Sequence, residues 1–391
     1  MMRKVILSLA LFSMVAGCAP DSSLQISAVL PLSGPWQIYG QPVRKGVELA
    51  YEELKASPDL PFSLDLVISD TESDAAKANK LLREAFDSGA VAVVGGVTSA
   101  EALEMVAVAD RFDRVLLSPS ASNPQLTGIS RNFYRVFPSD AKEGTTMGNF
   151  GSQKLGLQTA VIVAKEETYA AGIQAVFASE FERNGGQVTE IIEYPEGAGD
   201  FSGLIARVVS LEPNAVYLAA YADDIGKMIN ELRAKNFQGR ILTTSAFSTP
   251  EAIEQTGDDS EGVFLTQAGF EPDSEDPKVI GFVEAYRAKY GFAPDLYAAH
   301  GYDALMVLVE GLKQGADVPS DLWKKVRGLR DYFGVTGAIQ FDERGDVQKF
   351  PRVYVVQNGT LVDYERDIEA RRRALIDRLH ELQEQQRKRG N

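Results

Sequence analysis

One stretch constrains the fold more than any other. Between Val91 and Ser122 the chain places two short apolar runs, Val91–Val94 and Val115–Leu117, on either side of a helix-favouring segment, Ala100–Asp110. Runs this short and this apolar suit strands buried on both faces. Leu103, Val106 and Ala107 recur at helical spacing between them, with Asp110 as a polar stop, so the stretch is one βαβ unit. Each strand ends in a loop of small residues: Gly95-Gly96-Val97-Thr98-Ser99 after the first, Ser118-Pro119-Ser120-Ala121-Ser122-Asn123 after the second. In open α/β sheets ligands bind outside the carboxyl ends of the strands. Small residues admit a ligand to the backbone N–H groups, and hydroxyls add donors and acceptors. Helix capping accounts for either loop alone. Two such loops in register on neighbouring strands point to a ligand cradle.

The alternation continues along the chain. Strands are expected at Gln25–Leu30, Phe62–Ile68, Phe133–Phe137, Gln158–Val163, Gln187–Glu193, Ala215–Ala219, Arg240–Thr243 and Glu261–Thr266. Helical spacing falls at Gly40–Lys55, Ala75–Asp87, Tyr169–Arg183, Phe201–Leu211, Asp223–Lys235, Asp276–Tyr290, Leu296–Gln314 and Asp321–Leu329. Val335–Phe341 and Arg352–Gln357 are expected to close the fold as a strand pair around the turn at Asp342–Asp346. The pattern predicts two α/β lobes, each a parallel sheet flanked by helices. No Gly/Ser-rich linker separates them, so the chain crosses between lobes through structured segments, as a hinge requires. Glu365–Asn391 is different: highly charged, with Ile368, Leu375, Leu379 and Leu382 at near-helical spacing. It is expected to be a solvated helix appended to the second lobe.

Composition sets limits on function. A chain of 391 residues holds two full cores, and 45% hydrophobic with 24% charged residues describes a globular protein. The net charge of −15 argues against nucleic acid and against a basic membrane patch. The two histidines, His300 and His380, lie in an apolar-faced helix and in the charged tail. With one cysteine, no Cys/His metal spacing or nucleophile pair exists. Neither the phosphate loop nor the dinucleotide fingerprint is complete at Gly95-Gly96. The expectation is a binding protein without cofactor or metal, and no enzyme.

The N-terminus has the form of an export signal. Met1–Lys4 is a basic n-region and Val5–Val15 an apolar h-region too short for a permanent anchor. Val15-Ala16-Gly17-Cys18 resembles the bacterial lipobox, which implies removal of residues 1–17, lipidation of Cys18 and attachment to a membrane by that lipid alone. Ala19 after the cysteine favours the outer membrane in an enteric-type diderm.

Further blocks carry a family resemblance. ISAVLPLSGPWQIYG at Ile26–Gly40, GVELAYEEL at Gly46–Leu54, DTESDAAKA at Asp70–Ala78, VVGGVTSAEAL, SPSASNPQLT, DFSGLIARV at Asp200–Val208, AVYLAAY at Ala215–Tyr221 and GAIQFDERGDVQ occur in order. Together they resemble the branched-chain amino-acid-binding family of ABC-transporter solute receptors, with the type I periplasmic-binding fold, over about Leu24 to Val362. The resemblance implies two Rossmann-like lobes, 24–138 with 267–333 and 139–266 with 334–362, joined by three hinge crossovers, with a tail at 363–391. It implies closure on a small ligand and delivery to an ABC permease. It also implies that Thr98, Ser99, Ser120, Ala121 and Ser122 hold a ligand carboxylate. Tyr169 and Tyr221 would pack on the ligand from the opposite lobe, and Tyr39 would line the side-chain pocket with Trp36 close by. One departure stands out: where family members carry an acid for the ligand ammonium, this chain has Thr244-Ser245-Ala246-Phe247. Ser245 suits a carboxylate or amide ligand without an ammonium. Asp223 or Asp224 could substitute for the acid, although both suit the first turn of a helix. The alternative is an outer-membrane lipoprotein that regulates a peptidoglycan synthase, since the penicillin-binding-protein activators include a domain of this fold.

Overall fold

The computed structural model describes residues 23–315 and 319–389. The expected signal peptide, Cys18 and the last two tail residues lie outside the described residues.

The first lobe begins with β1 (Ser23–Leu30), α1 (Gln37–Ala56), β2 (Ser63–Asp70), α2 (Ala75–Asp87), β3 (Ala92–Gly95), α3 (Ser99–Phe112), β4 (Val115–Ser118) and β5 (Phe133–Arg135). These strands form one sheet in the order β2-β1-β3-β4-β5, with every neighbouring pair parallel. Strands β3 and β4 are buried along their whole length, as their apolar runs require. The buried face of α3 is Ala102, Met105, Val106 and Ala109, while Leu103 is half-buried and Ala107 exposed. The loop sets this phase: at Gly96, with φ of +68°, an added Cβ would lie 2.9 Å from the Ala102 side chain. That site needs glycine, and the helix must present alanine to it.

The second lobe contains α4 (Asp140–Asn149), β6 (Thr159–Lys165), α5 (Thr168–Arg183), β7 (Gln187–Tyr194), α6 (Ser202–Ser210), β8 (Ala215–Ala219), α7 (Ala222–Ala234), β9 (Arg240–Thr243), α8 (Pro250–Thr256) and β10 (Phe264–Gln267). The chain then returns to the first lobe as α9 (Pro277–Tyr290), α10 (Leu296–Lys313) and α11 (Leu322–Gly328). Helix α10 lies so close on α1 that a Cβ at Gly46 would sit 1.9 Å from the Ala298 carbonyl oxygen. A small hairpin, β11 (Phe333–Gly334) with β12 (Gly337–Ala338), leads back to β13 (Arg352–Gln357), β14 (Thr360–Asp363) and α12 (Tyr364–Arg389). The second sheet runs β14-β13-β10-β9-β8-β6-β7, parallel from β7 to β10 and antiparallel at β13 and β14. The architecture is therefore two parallel-sheet α/β lobes between which the chain passes three times.

The expected pairing of Val335–Phe341 with Arg352–Gln357 does not form. Strand β13 pairs instead with β10 and, through a turn at Asn358-Gly359, with β14. Both turn residues have positive φ, as a two-residue hairpin turn demands. The Asp342–Asp346 turn joins Phe341 to Val347, and it is held against the first lobe by a buried ion pair, Arg135 Nε to Asp346 Oδ1 at 2.7 Å. In α12, Tyr364 packs edge-on against Phe150 and Phe264, whereas Ile368, Leu375, Leu379 and Leu382 are exposed. No helix among the described residues is long and apolar enough to cross a membrane.

Candidate ligand-binding site

The two small-residue loops meet at the carboxyl edge of the first sheet and are braced to each other. Ser118 Oγ donates to the Gly96 carbonyl and Ser120 Oγ to the Val97 carbonyl, both at 2.7 Å, while Ser99 Oγ accepts from Asn123 N at 3.2 Å. Thr98 caps α3: its hydroxyl accepts from Glu101 N, and the Glu101 carboxylate accepts from Thr98 N, each at 3.2 Å. Burial pushes the Glu101 carboxyl above its ordinary range, against hydrogen bonds from Thr71 and Thr98. Capping and cradle readings thus coexist. Thr98 satisfies the helix end, and the next N–H groups, of Ser99 and Ala100, belong to the first turn that a helix cannot bond internally. Those groups and the helix dipole favour an anion there. Ala121 contributes differently from its neighbours: its N–H donates to Ser118 Oγ at 2.8 Å, beneath the loop.

Beneath the second loop lies Arg135, wholly buried. Besides Asp346, its guanidinium donates to the Asn123 carbonyl at 2.9 Å, the Ala121 carbonyl at 3.4 Å and Thr127 Oγ1 at 2.7 Å. A rigid five-donor fork suits this role, because it fixes several carbonyls at once.

The opposing wall is aromatic. Tyr221 stacks on Tyr169 with centroids 5.2 Å apart, meets Trp36 at 4.1 Å and Tyr39 at 5.7 Å, and Tyr39 meets Tyr297 at 4.9 Å. Tyr39, from α1, bridges to the second lobe: its hydroxyl accepts from Ala222 N at 2.9 Å and donates to the Ala246 carbonyl at 3.1 Å. Tyr297 Oη donates to the Ser245 carbonyl at 3.3 Å, and Asn123 Nδ2 to the Thr168 carbonyl at 2.5 Å. The lobes are thus drawn together over a chamber of about 30 Å³, room for a water or two. Tyr39, Thr98, Ser99, Ser120, Ser122, Tyr169, Tyr221 and Ser245 all line it, joined by Val97, Phe137, Ala246 and Tyr297. Ala121 is the one expected residue that does not.

Behind the Thr244–Phe247 turn, which has no acid of its own, lies a carboxylate from α4. Ser245 N and Oγ donate to the Glu143 carboxylate at 2.7 and 2.9 Å, and Thr266 Oγ1 donates to it at 2.6 Å. One turn earlier, Asp140 is fully buried with both oxygens lacking a hydrogen-bond partner of normal geometry. Burial raises both carboxyls above their ordinary range, Asp140 strongly, with the neighbouring Glu143 adding to the rise. Arg135 and the Ser122 hydroxyl work in the opposite direction on Asp140. In sequence, Asp140 and Glu143 after Ser139 look like ordinary first-turn acids of a capped helix, and only the packing separates them from such. Asp223 and Asp224 stand apart from the chamber: Asp223 is exposed, and Asp224 pairs with Lys165 Nζ at 3.4 Å and Tyr194 Oη at 3.0 Å. Among the described residues, no group of three or more His, Cys, Asp or Glu side chains could hold a metal.

Comparison with known proteins agrees with this geometry. A family model described as periplasmic binding protein matches residues 23–360. The leucine-, isoleucine-, valine-, threonine-, and alanine-binding protein of Pseudomonas aeruginosa is 24% identical over 345 residues, which cover 86% of this chain and 91% of that one. The crystal structure of a leucine-binding protein from Thermotoga maritima superposes with a TM-score of 0.83 at 30% identity, covering 87% of this chain and 97% of the other. A branched-chain amino acid transporter substrate-binding protein from Streptococcus pneumoniae, in complex with isoleucine, gives a TM-score of 0.81 at 24% identity, with 88% and 100% covered.

Proposed function

Because the chain belongs to the periplasmic binding protein family, we propose that it is a lipid-anchored extracytoplasmic solute receptor of an ABC importer. It takes a small amino-acid-like ligand, or a related carboxylate or amide, between its lobes. The observation that carries this reading is the meeting of the braced hydroxyl loops at the α3 N-terminus with the tyrosines of the other lobe. The relatives named as leucine-, isoleucine- or valine-binding proteins support it. The family match gives no support to the alternative role as a peptidoglycan-synthase regulator.

In this reading the ligand's carboxylate sits at the free N–H groups of α3, where charge-assisted bonds are strong. Its body lies against Tyr169 and Tyr221. Entry separates Tyr39 from Ala222 and Ala246, and closure restores contact across the hinge. For a ligand with an ammonium, Glu143 and Asp140 behind Ser245 and Ser122 supply the counter-charge; for one without, the raised pKa of both carboxyls lowers the cost of leaving them buried. Thermal denaturation against amino acids, their amides and ammonium-free carboxylic acids tests the assignment. One class should raise the midpoint by several degrees at about a hundred times its dissociation constant, equivalent to about 2.7 kcal/mol. A flat response across all three classes would sink the receptor reading. Anchoring is tested separately: Cys18→Ala should abolish incorporation of labelled palmitate and release the protein from membranes, and unchanged labelling would refute the lipid.

A further inference from the structure

The loop from Ser33 to Trp36, between β1 and α1, is held more firmly than a surface turn requires. The Asp70 carboxylate accepts from Leu32 N, Ser33 N and Ser33 Oγ at 2.9, 3.2 and 2.7 Å. Ser73 Oγ donates to the Ser33 carbonyl at 2.7 Å and accepts from Trp36 N at 3.0 Å. That hydroxyl sits on a turn of two consecutive left-handed residues, neither of them glycine: Glu72 with φ of 54° and Ser73 with φ of 61°. Such backbone strain persists only where the surroundings over-determine it, and it gathers at ligand clamps and switches. What this turn fixes is the backbone of Trp36.

The Trp36 ring is met from the other lobe by two side chains. Tyr221, just after β8, lies with its centroid 4.1 Å away, and the ammonium of Lys165, at the end of β6, stands 5.1 Å from the ring centre. Lys165 is itself fixed: its Nζ is 3.4 Å from Asp224 Oδ2, which also accepts from Tyr194 Oη at 3.0 Å. The Lys165 and Asp224 side chains are only 8% and 14% exposed, so water weakens the ion pair and the cation–π contact little. These contacts lie at the border of the cleft. Pro35, Gln37 and Ile38 line an outer groove of about 760 Å³, with Asp223 and Thr249 facing them from the second lobe, whereas Tyr39 and Tyr221 line the inner chamber. Trp36 on Tyr221 therefore joins the two lobes where groove gives way to chamber.

We propose that Trp36 is a positioning residue of the cleft, the post on which Tyr221 and Lys165 close, and that this clasp keeps the lobes shut over an empty chamber. In the closed arrangement the chamber holds a water or two, so entry or release of anything larger must first free Trp36 from both partners. That consequence for ligand exchange rests on the receptor reading; the clasp itself does not. Ser73 and Lys165 act through Trp36, the one by holding its backbone and the other by covering its ring.

The test uses the ligand-free protein in a Trp323→Phe background, where Trp36 is the remaining tryptophan. Small-angle scattering reads the separation of the lobes, and acrylamide quenching reads access to the Trp36 ring. Lys165→Met removes the charge and keeps the stem. Ser73→Gly removes the hydroxyl at a position that glycine takes without strain, so this variant should melt near the wild-type temperature. The unsubstituted clasp should scatter as the closed form. Both variants should give a more open profile and at least double the quenching constant, and Lys165→Arg, which keeps a cation over the ring, should restore both. Three results would each overturn the proposal: a parent protein already as open as the variants, a closed profile in either variant, or Lys165→Arg as open as Lys165→Met. No ligand takes part, so failure here is distinct from failure of the receptor reading, which is judged by the thermal response to ligands.

Discussion

The two walls of the cleft are built on opposite principles. On the first lobe, hydroxyls and carbonyls of neighbouring loops satisfy one another, and a buried arginine ties them down from below. On the second, large aromatic rings meet across the gap, and two buried acids sit behind a serine turn. The first wall is preformed. The second, together with Tyr39, must rearrange when the lobes part. A receptor that closes on its ligand needs this asymmetry: a fixed anchor for one end of the ligand and an adaptable surface for the rest.

Breaking the fixed wall should have the largest effect. Arg135→Met leaves Asp346 buried without its cation and the Asn123 carbonyl without its donor. Urea unfolding should show a loss of about 3–5 kcal/mol, and ligand affinity should fall with it. Retention of full stability would mean that the arginine does not hold the wall.

On the adaptable wall, Tyr39→Phe removes two of the lobe-bridging bonds and strands the Ala222 N–H and the Ala246 carbonyl. The closed form should weaken by about 1–3 kcal/mol. Small-angle scattering would then report a more open molecule, and Trp36 fluorescence would change as its contact with Tyr221 loosens. An unchanged scattering profile would show that the tyrosine does not control closure.

The buried acids separate by partner. Glu143→Gln weakens charge-assisted bonds from Ser245 and should cost about 1–2 kcal/mol, whereas Asp140→Asn removes an unpartnered carboxyl and should be neutral or stabilising. If Asp140→Asn lowered affinity only for ligands bearing an ammonium, Asp140 would be assigned as their counter-charge.

The smallest effect concerns the crossover between the walls. Asp303 of α10 accepts from the Val335 and Thr336 N–H groups at 2.9 and 2.8 Å, and Lys349 donates to Thr336 Oγ1 beside it. Burial lowers Lys349 to about 8, with Asp303 opposing the shift. A lysine depressed on folding costs stability fully below its folded value, because the unfolded chain then holds the proton more tightly. The cost diminishes as pH rises from 8 towards the unfolded value of about 10.4. Stability measured between pH 8 and 9.5 should therefore gain on the order of 1 kcal/mol, and Lys349→Met should abolish that slope.

Much of this was written locally. The βαβ unit at Val91–Ser122 folds as its apolar runs and small loops require, because short buried strands and helix caps depend on neighbours in sequence. The same locality limits what could be read. Thr98 serves as a cap, Ala121 turns its N–H to Ser118, and no pattern of spacing distinguishes these from ligand donors. Asn358-Gly359 is itself a hairpin signal, yet Val335–Phe341 has equal strand character, and what holds the segment after it in place is the ion pair of Asp346 with Arg135, distant in the chain.

The sequence by itself determined the two-lobe α/β architecture and brought eight of the nine expected cleft residues to one chamber. Periodicity and loop chemistry suffice for that. Tertiary structure alone decided that two carboxyls lie buried behind the chamber. Glu143 and Asp140 acquire their meaning only when α4 packs beneath Ser245 and Ser122, for burial, not residue type, raises those carboxyls.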